Sequence, residues 1–305
     1  SLQHFSPPRW SKACRKKRKL EQNDQTPRLR ALSFMTLGPD PCEPIFTAIL
    51  ELFSKAFAFD RGNEQNQFIE IGCGPGSFTL KNLFPSLPPC RRLVAVDKSE
   101  EMLKLAAEKY SHPRIHYLQL DILGDVDKFV REQGQFQRLY SFHVLHWIRD
   151  QQLVMRNCEK LLAPGGECLL LFLRTLSFFE LFDTMIKSPR WSKYSQILEA
   201  NMPETWNISD VFSLRAYASN LVISSKLVPI SCEVLSVSTP RKRIKERATN
   251  MLITFNPVYA LLGEDEKLEL FKFTSDFVDT MFAKNPDRET EDRMVLVIHA
   301  FKPSK

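Results

Sequence analysis

The chain has 305 residues, 43% of them hydrophobic, and a formal net charge of +6. That is long and apolar enough for one large domain with a sizeable core, and it excludes a wholly disordered chain. The longest apolar run, Cys168-Leu169-Leu170-Leu171-Phe172-Leu173, suits a buried strand and is far too short to cross a bilayer.

Residues 1–30 hold nine basic and two acidic residues, a net +7, while the remaining 275 hold 33 basic and 34 acidic, a net −1. The near-neutral remainder argues against nucleic acid as a partner. Residues 1–40 lack periodicity and read as a disordered basic extension. Arg15-Lys16-Lys17-Arg18-Lys19 is read as a solvated tail in preference to a nuclear signal or nucleic-acid arm. No apolar stretch follows this cluster, which argues against a signal peptide. The seven cysteines form no CxxC pair. They read as reduced thiols in a cytoplasmic protein, with no zinc site.

From residue 43 the periodicity is helical, with Phe46, Ile49, Leu50, Phe53 and Phe57 on one face. A strand over 68–71 runs into Gly72-Cys73-Gly74-Pro75-Gly76, and a helix follows to about Leu83. Leu93-Val94-Ala95-Val96, closing at Asp97, predicts a strand buried on both faces. Ser99 caps the next helix, with Glu100 and Glu101 in its first turn. Further strands are expected over 115–120, 138–142 and 167–173, the last after a helix over 151–162 broken by Ala163-Pro164-Gly165-Gly166. This alternation predicts a parallel sheet with helices on both faces. Beyond 174 the chain is mostly helical, with strands over 231–237 and 294–301. A cap is expected over about 174–228 and 241–283, interrupted at Asn256-Pro257, making 41–305 one domain.

A glycine-rich turn between strand and helix lets backbone approach a ligand closely. Asp97 follows Gly76 by 21 residues, the spacing at which a carboxylate reaches a ribose diol. The unit therefore reads as a nucleoside-cofactor site. Glu70, aimed at the turn, is ill-suited to a pyrophosphate and well suited to an ammonium and a sulfonium, which favours S-adenosylmethionine over a nicotinamide dinucleotide.

Glu70–Gly76, Val96-Asp97-Lys98-Ser99 with Met102, Leu120-Asp121-Ile122 and Leu162–Gly166 resemble the successive motifs of class I S-adenosylmethionine-dependent methyltransferases. Phe136–Ile148 contains Ser141-Phe142-His143-Val144-Leu145-His146-Trp147. Together with Cys168–Leu173, Trp191 and Asn256-Pro257, it is similar to the arthropod juvenile hormone acid O-methyltransferases over roughly 43–303. The resemblance implies a Rossmann-like doubly wound sheet of seven strands with helical cap insertions. It implies that Glu70, Gly72, Cys73, Gly74 and Gly76 meet the methionine moiety and Asp97 the ribose. Lys98 or Met102 then flanks the adenine, Asp121 and Ile122 address its edge, and Ser141 and Phe142 line the floor near the sulfonium. Trp147 faces the acceptor carboxylate, and His146 beside it reads either as a pocket wall or as a satisfied core histidine.

The sequence departs from that family in two places. Gln137 stands where an acid is usual. The family's opening Tyr-x-x-x-Asn-x-x-Gln segment is represented only by Ser1-Leu2-Gln3, and Gln3 lies 69 residues before Gly72. The basic stretch between reads as an insertion that displaces Gln3, which holds the acceptor carboxylate only if it still reaches the site.

The expected reaction is esterification of a small lipophilic acid, whose carboxylate is ionised at neutral pH and needs no general base. Phe178, Phe179, Phe182, Met251, Phe255 and other apolar cap residues are available to receive its tail, although most of them read as helix core. Two alternatives stay open: a methyltransferase acting on RNA or protein, and a cofactor-binding protein without turnover. His143 and His146 lack an evident third ligand, so no metal is expected.

Overall fold

In the computed structural model the described residues are 42–57, 63–240, 244–284, 286 and 289–304. The basic stretch and Gln3 lie outside them, as does the expectation of a disordered start.

Seven strands form one sheet in the order β3-β2-β1-β4-β5-β7-β6. They are β1 (Gln67–Ile71), β2 (Arg92–Asp97), β3 (Ile115–Gln119), β4 (Phe136–Phe142), β5 (Leu162–Leu173), β6 (Val228–Pro240) and β7 (Thr290–Phe301). β1 to β5 are parallel, whereas β7 runs antiparallel to both β5 and β6. The sheet is therefore mixed, where alternation alone predicts parallel pairing. β7 follows a helical excursion and re-enters the sheet between its two neighbours.

Every residue of β1 is buried, as a central strand requires. Its alternate side chains serve two cores. Ile69 and Ile71 join Val94, Val96, Leu139 and Leu170 beneath helices α3 (Val126–Gln133), α4 (Gln151–Leu161) and α7 (Val211–Ser224). Phe68 faces the other way, with Leu93, Tyr140 and Leu169, under α1 (Glu43–Ser54). Each large aliphatic buried here contributes about 1.5–3 kcal/mol. Helix starts follow the local chemistry. Ser99 Oγ accepts from Met102 N–H at 3.3 Å at the start of α2 (Glu100–Lys109), and Asp150 accepts from Leu153 N–H at 2.9 Å at the start of α4.

Ala163-Pro164-Gly165-Gly166 ends the helix as expected, but these residues are already extended. β5 begins at Leu162, and the β4–β5 register shifts between Phe136 and Arg138 to absorb them. The cap is narrower than 174–228. It consists of α5 (Ser177–Lys187), α6 (Ser195–Ala200), α8 (Lys245–Thr254) and α9 (Glu264–Ala283), which share a core of Phe179, Phe182, Met185, Trp191 and Leu252. α7 belongs to the sheet layer, because Leu214, Ala218, Leu221 and Val222 pack on it.

Candidate active site

A cleft of about 1670 Å³ opens at the C-terminal ends of β1 to β4. Ligand sites usually hold roughly 300–1,000 Å³, so this one has room for two bound molecules. In open α/β sheets, ligands bind at this edge.

The glycine turn forms one wall. Gly72, Gly74 and Gly76 all have positive φ. Close approach explains Gly72, where a Cβ would lie 2.2 Å from Val144 Cγ2 at the end of β4. The chain past Gly76 becomes a π-helical turn, Thr79–Leu83, a form frequent at functional sites.

Two carboxyl groups face the cleft beside this turn. Glu70 is 2% exposed, and its Oε2 has no hydrogen-bond partner. Burial raises its carboxyl to about 7; nearby Thr79 opposes the rise without reaching hydrogen-bonding geometry, and Asp97 adds to it. Asp97 Oδ2 accepts from Gly74 N–H at 3.0 Å and Oδ1 from Ser99 N–H at 2.8 Å. Burial pushes its carboxyl up, and those N–H groups pull it back. Cys73 is held well above the ordinary thiol value by burial, then by Glu70 and Asp97, so it is an inert wall and no nucleophile.

The opposite wall grows from the end of β4. The turn Leu145–Trp147 is fixed from below by buried groups. Gln151 Nε2 donates to Leu145 O at 2.8 Å, and Leu173 N–H donates to His146 Nδ1 at 3.3 Å. Trp147 thereby stands at the surface of the cleft, its indole N–H without a hydrogen bond among the described residues. Its ring meets Phe178 at 5.1 Å, edge-on, and Phe255 at 5.8 Å, stacked. Asn256 sets Phe255 and Pro257 in place: its Nδ2 donates to Met185 Sδ at 3.2 Å, and its Oδ1 accepts from Val258 N–H at 2.9 Å.

Residues 69–170 match the family described as a methyltransferase domain. Of the curated relatives, a juvenile hormone acid O-methyltransferase from Bombyx mori is 39% identical over 131 residues, covering 42% of this chain and 46% of its own. The Drosophila melanogaster protein of the same name is 29% identical, covering 50% of this chain and 51% of its own. The chain thus spans about half the length of the curated relatives it matches. A solved S-adenosylmethionine-dependent methyltransferase from Anabaena variabilis overlaps with a TM-score of 0.48 at 16% identity, covering 84% of this chain and 83% of its own.

Residues 69–170 thus resemble a class I S-adenosylmethionine-dependent methyltransferase domain.

The residues present fit that domain's cofactor. The orphaned, buried Glu70 oxygen offers a cation acceptor, and Gly74, with nothing within 4 Å of where a Cβ would stand, leaves backbone open beside it. Of the residues assigned to the cofactor from sequence, this cleft gathers Glu70, Gly72, Cys73, Gly74, Asp97, Lys98, Met102, Asp121, Ile122 and Phe142. It does not gather the other two, Ser141 and Gly76, nor His146 from the acceptor side. Ser141 is buried and its Oγ donates to Ile71 O at 3.1 Å, tying β4 to β1 beneath the floor. A Cβ on Gly76 would meet Ala106 and Tyr117 at 2.8 Å, so this glycine serves packing on α2. His146 is buried and lies outside the lining. Burial, then His143 and Arg293, hold its imidazole well below the ordinary value, so it is a satisfied core histidine and stays neutral. Among the described residues no third metal ligand joins the two histidines. The lining adds His143, Val144, Ile148, Asn201 and Pro257, to which the sequence reading gave no site role. Only the Asn256-Pro257 break hinted at the last.

Proposed function

We propose that this protein is an S-adenosylmethionine-dependent O-methyltransferase that esterifies a lipophilic carboxylic acid. The observation that carries the reading is a single cleft with an acidic, cation-receiving wall at Glu70 and Asp97 and an aromatic wall around Trp147. The names of the two insect relatives, juvenile hormone acid O-methyltransferases, support the same acceptor class. Residues 41–305 act as one methyltransferase domain with its cap, and the six cysteines among the described residues, all buried and outside any disulfide, support a reducing, cytoplasmic setting.

S-adenosylmethionine, when bound, supplies an electrophilic methyl group. Glu70 would hold its ammonium and Asp97 its ribose hydroxyls, while Met102 and Ile122 border the adenine. The acceptor carboxylate arrives ionised, so no base is required. Trp147 would donate its indole N–H to one carboxylate oxygen and leave the other free for in-line attack. Phe182 and Phe255, which line the cleft, exclude water and take the apolar tail, with Phe178 packed against Trp147 and Phe255 behind them. Alignment of this kind is worth roughly 7–11 kcal/mol of barrier.

The test is mass-resolved turnover with S-adenosylmethionine and a panel of terpenoid and straight-chain acids, with cofactor binding measured on the same sample. Methyl esters are the expected product. Cofactor binding with no ester from any acid refutes the reading.

A further inference from the structure

Two non-glycine residues among those described have positive φ, His143 at 61° and Lys226 at 68°. Lys226 is exposed and follows the C-terminus of α7, where a left-handed residue commonly closes a helix. His143 ends a strand, not a helix. It is the first residue after β4, its N–H bonded to Leu171 O at 3.1 Å, and it lines the cleft. Strained backbone of this kind concentrates at functional sites.

The kink has a packing consequence, since it lays Val144 over Gly72. Packing alone does not account for a histidine, because glycine adopts this φ more easily. The imidazole is held on its own account. Its ring lies 4.0 Å from that of Phe46 on α1 and 5.8 Å, edge-on, from that of His146. His146 in turn stands 5.4 Å from the Trp147 ring. His143 and Trp147 thus flank the buried His146 and both border the cleft, with only the outer two exposed to a ligand.

We infer that His143 is a positioning residue for the acceptor, holding its carboxylate together with Trp147. This rests on the carboxylic-acid reading above. An imidazole N–H is a suitable donor to a carboxylate, and the Phe46 ring, tilted 42° against it, keeps the imidazole from swinging away.

The experiment uses the full chain saturated with S-adenosylhomocysteine and titrated with dodecanoate and, separately, with dodecanol. These probes share a tail and differ in the carboxylate. Wild type is compared with His143→Gly, which keeps the kink, and His143→Asn, which tolerates it and keeps a donor. We expect His143→Gly to melt no lower than wild type and to bind dodecanoate about ten-fold more weakly, with dodecanol affinity unchanged and part of the loss restored in His143→Asn. Equal losses for acid and alcohol, or no loss for either, overturn the inference. So does a wild-type protein that fails to bind dodecanoate. Should His143→Gly unfold, the acid-to-alcohol ratio in His143→Asn decides in the same way. If wild type binds dodecanoate through His143 yet forms no methyl ester, the inference stands and the proposed reaction fails.

Discussion

The two walls of the cleft are built by opposite means. The cofactor wall comes from one stretch, Glu70 to Leu123, in which the glycine turn after β1 and Ser99 after β2 are both bonded to Asp97 at the end of β2. The acceptor wall comes from four distant pieces: the end of β4, α5, Asn201, and the turn at Phe255–Pro257. The first is specified by backbone, the second by side chains meeting side chains. Damage to the first should therefore be abrupt and damage to the second graded.

Gly72→Ala probes the backbone wall most severely. Its Cβ would lie 2.2 Å from Val144 and would hold φ at +72°. A loss of about 3 kcal/mol is expected, with cofactor binding lost alongside it, read by thermal melting and calorimetry. Gly74→Ala has a similar φ but nothing within 4 Å of its Cβ, so only about 1 kcal/mol of conformational strain is expected. Equal losses would show that the turn responds to φ alone and that the close fit to β4 is immaterial.

Next comes the charge on that wall. Glu70 has an ordinary value of 4.5 and about 7 in the fold. A carboxyl raised on folding favours the folded state below its unfolded value, and that advantage is lost as pH climbs through the folded one. The free protein should lose about 3 kcal/mol between pH 4.5 and about 7, and Glu70→Gln should flatten that slope. Cofactor affinity should run the other way. A cation needs the ionised carboxylate, so binding should weaken about ten-fold per pH unit below 7 and release a proton. Calorimetry in buffers of different ionisation heat reads that proton directly.

On the acceptor wall, Trp147→Ala should leave cofactor affinity unchanged and lower ester formation by about 100-fold, the usual effect of removing one oriented donor. A parallel fall in cofactor affinity would mean that the two walls are not separable.

The same contrast explains what could be read from the chain. The strands were legible because central strands are uninterrupted apolar runs, and the glycines with Asp97 because turn and strand end carry their own local signals. Assigning Ser141 and Gly76 to the cofactor misjudged direction. The spacing places both near the turn, but whether a residue faces ligand or neighbour depends on Ile71 O and on Ala106, from other segments. His146 and His143 show the same limit. They lie one and four residues before Trp147, and only the kink at 143 decides which ring meets the cleft. Likewise α7 was read as cap because its composition resembles the cap helices, and it packs on the sheet through contacts that no local pattern contains.

The mildest change is also the most selective. Phe255 stacks on Trp147 at 5.8 Å and meets Phe178 edge-on at 5.5 Å, with Asn256 anchoring the turn behind it. Its ring is one patch of apolar wall among several, so Phe255→Ala should leave the methyl-transfer geometry intact and remove only surface that the acceptor tail covers. An acid too short to reach that surface should be turned over normally. A longer one should lose about 0.8 kcal/mol for each methylene left against water instead of ring, close to four-fold in KM per methylene, with kcat unchanged. Steady-state kinetics over a homologous series of straight-chain acids gives a break in the plot of log KM against chain length, and the length at the break locates Phe255 along the bound tail. A uniform rise at every length would instead assign Phe255 to holding Trp147, and the acceptor wall would then fail as abruptly as the glycine turn.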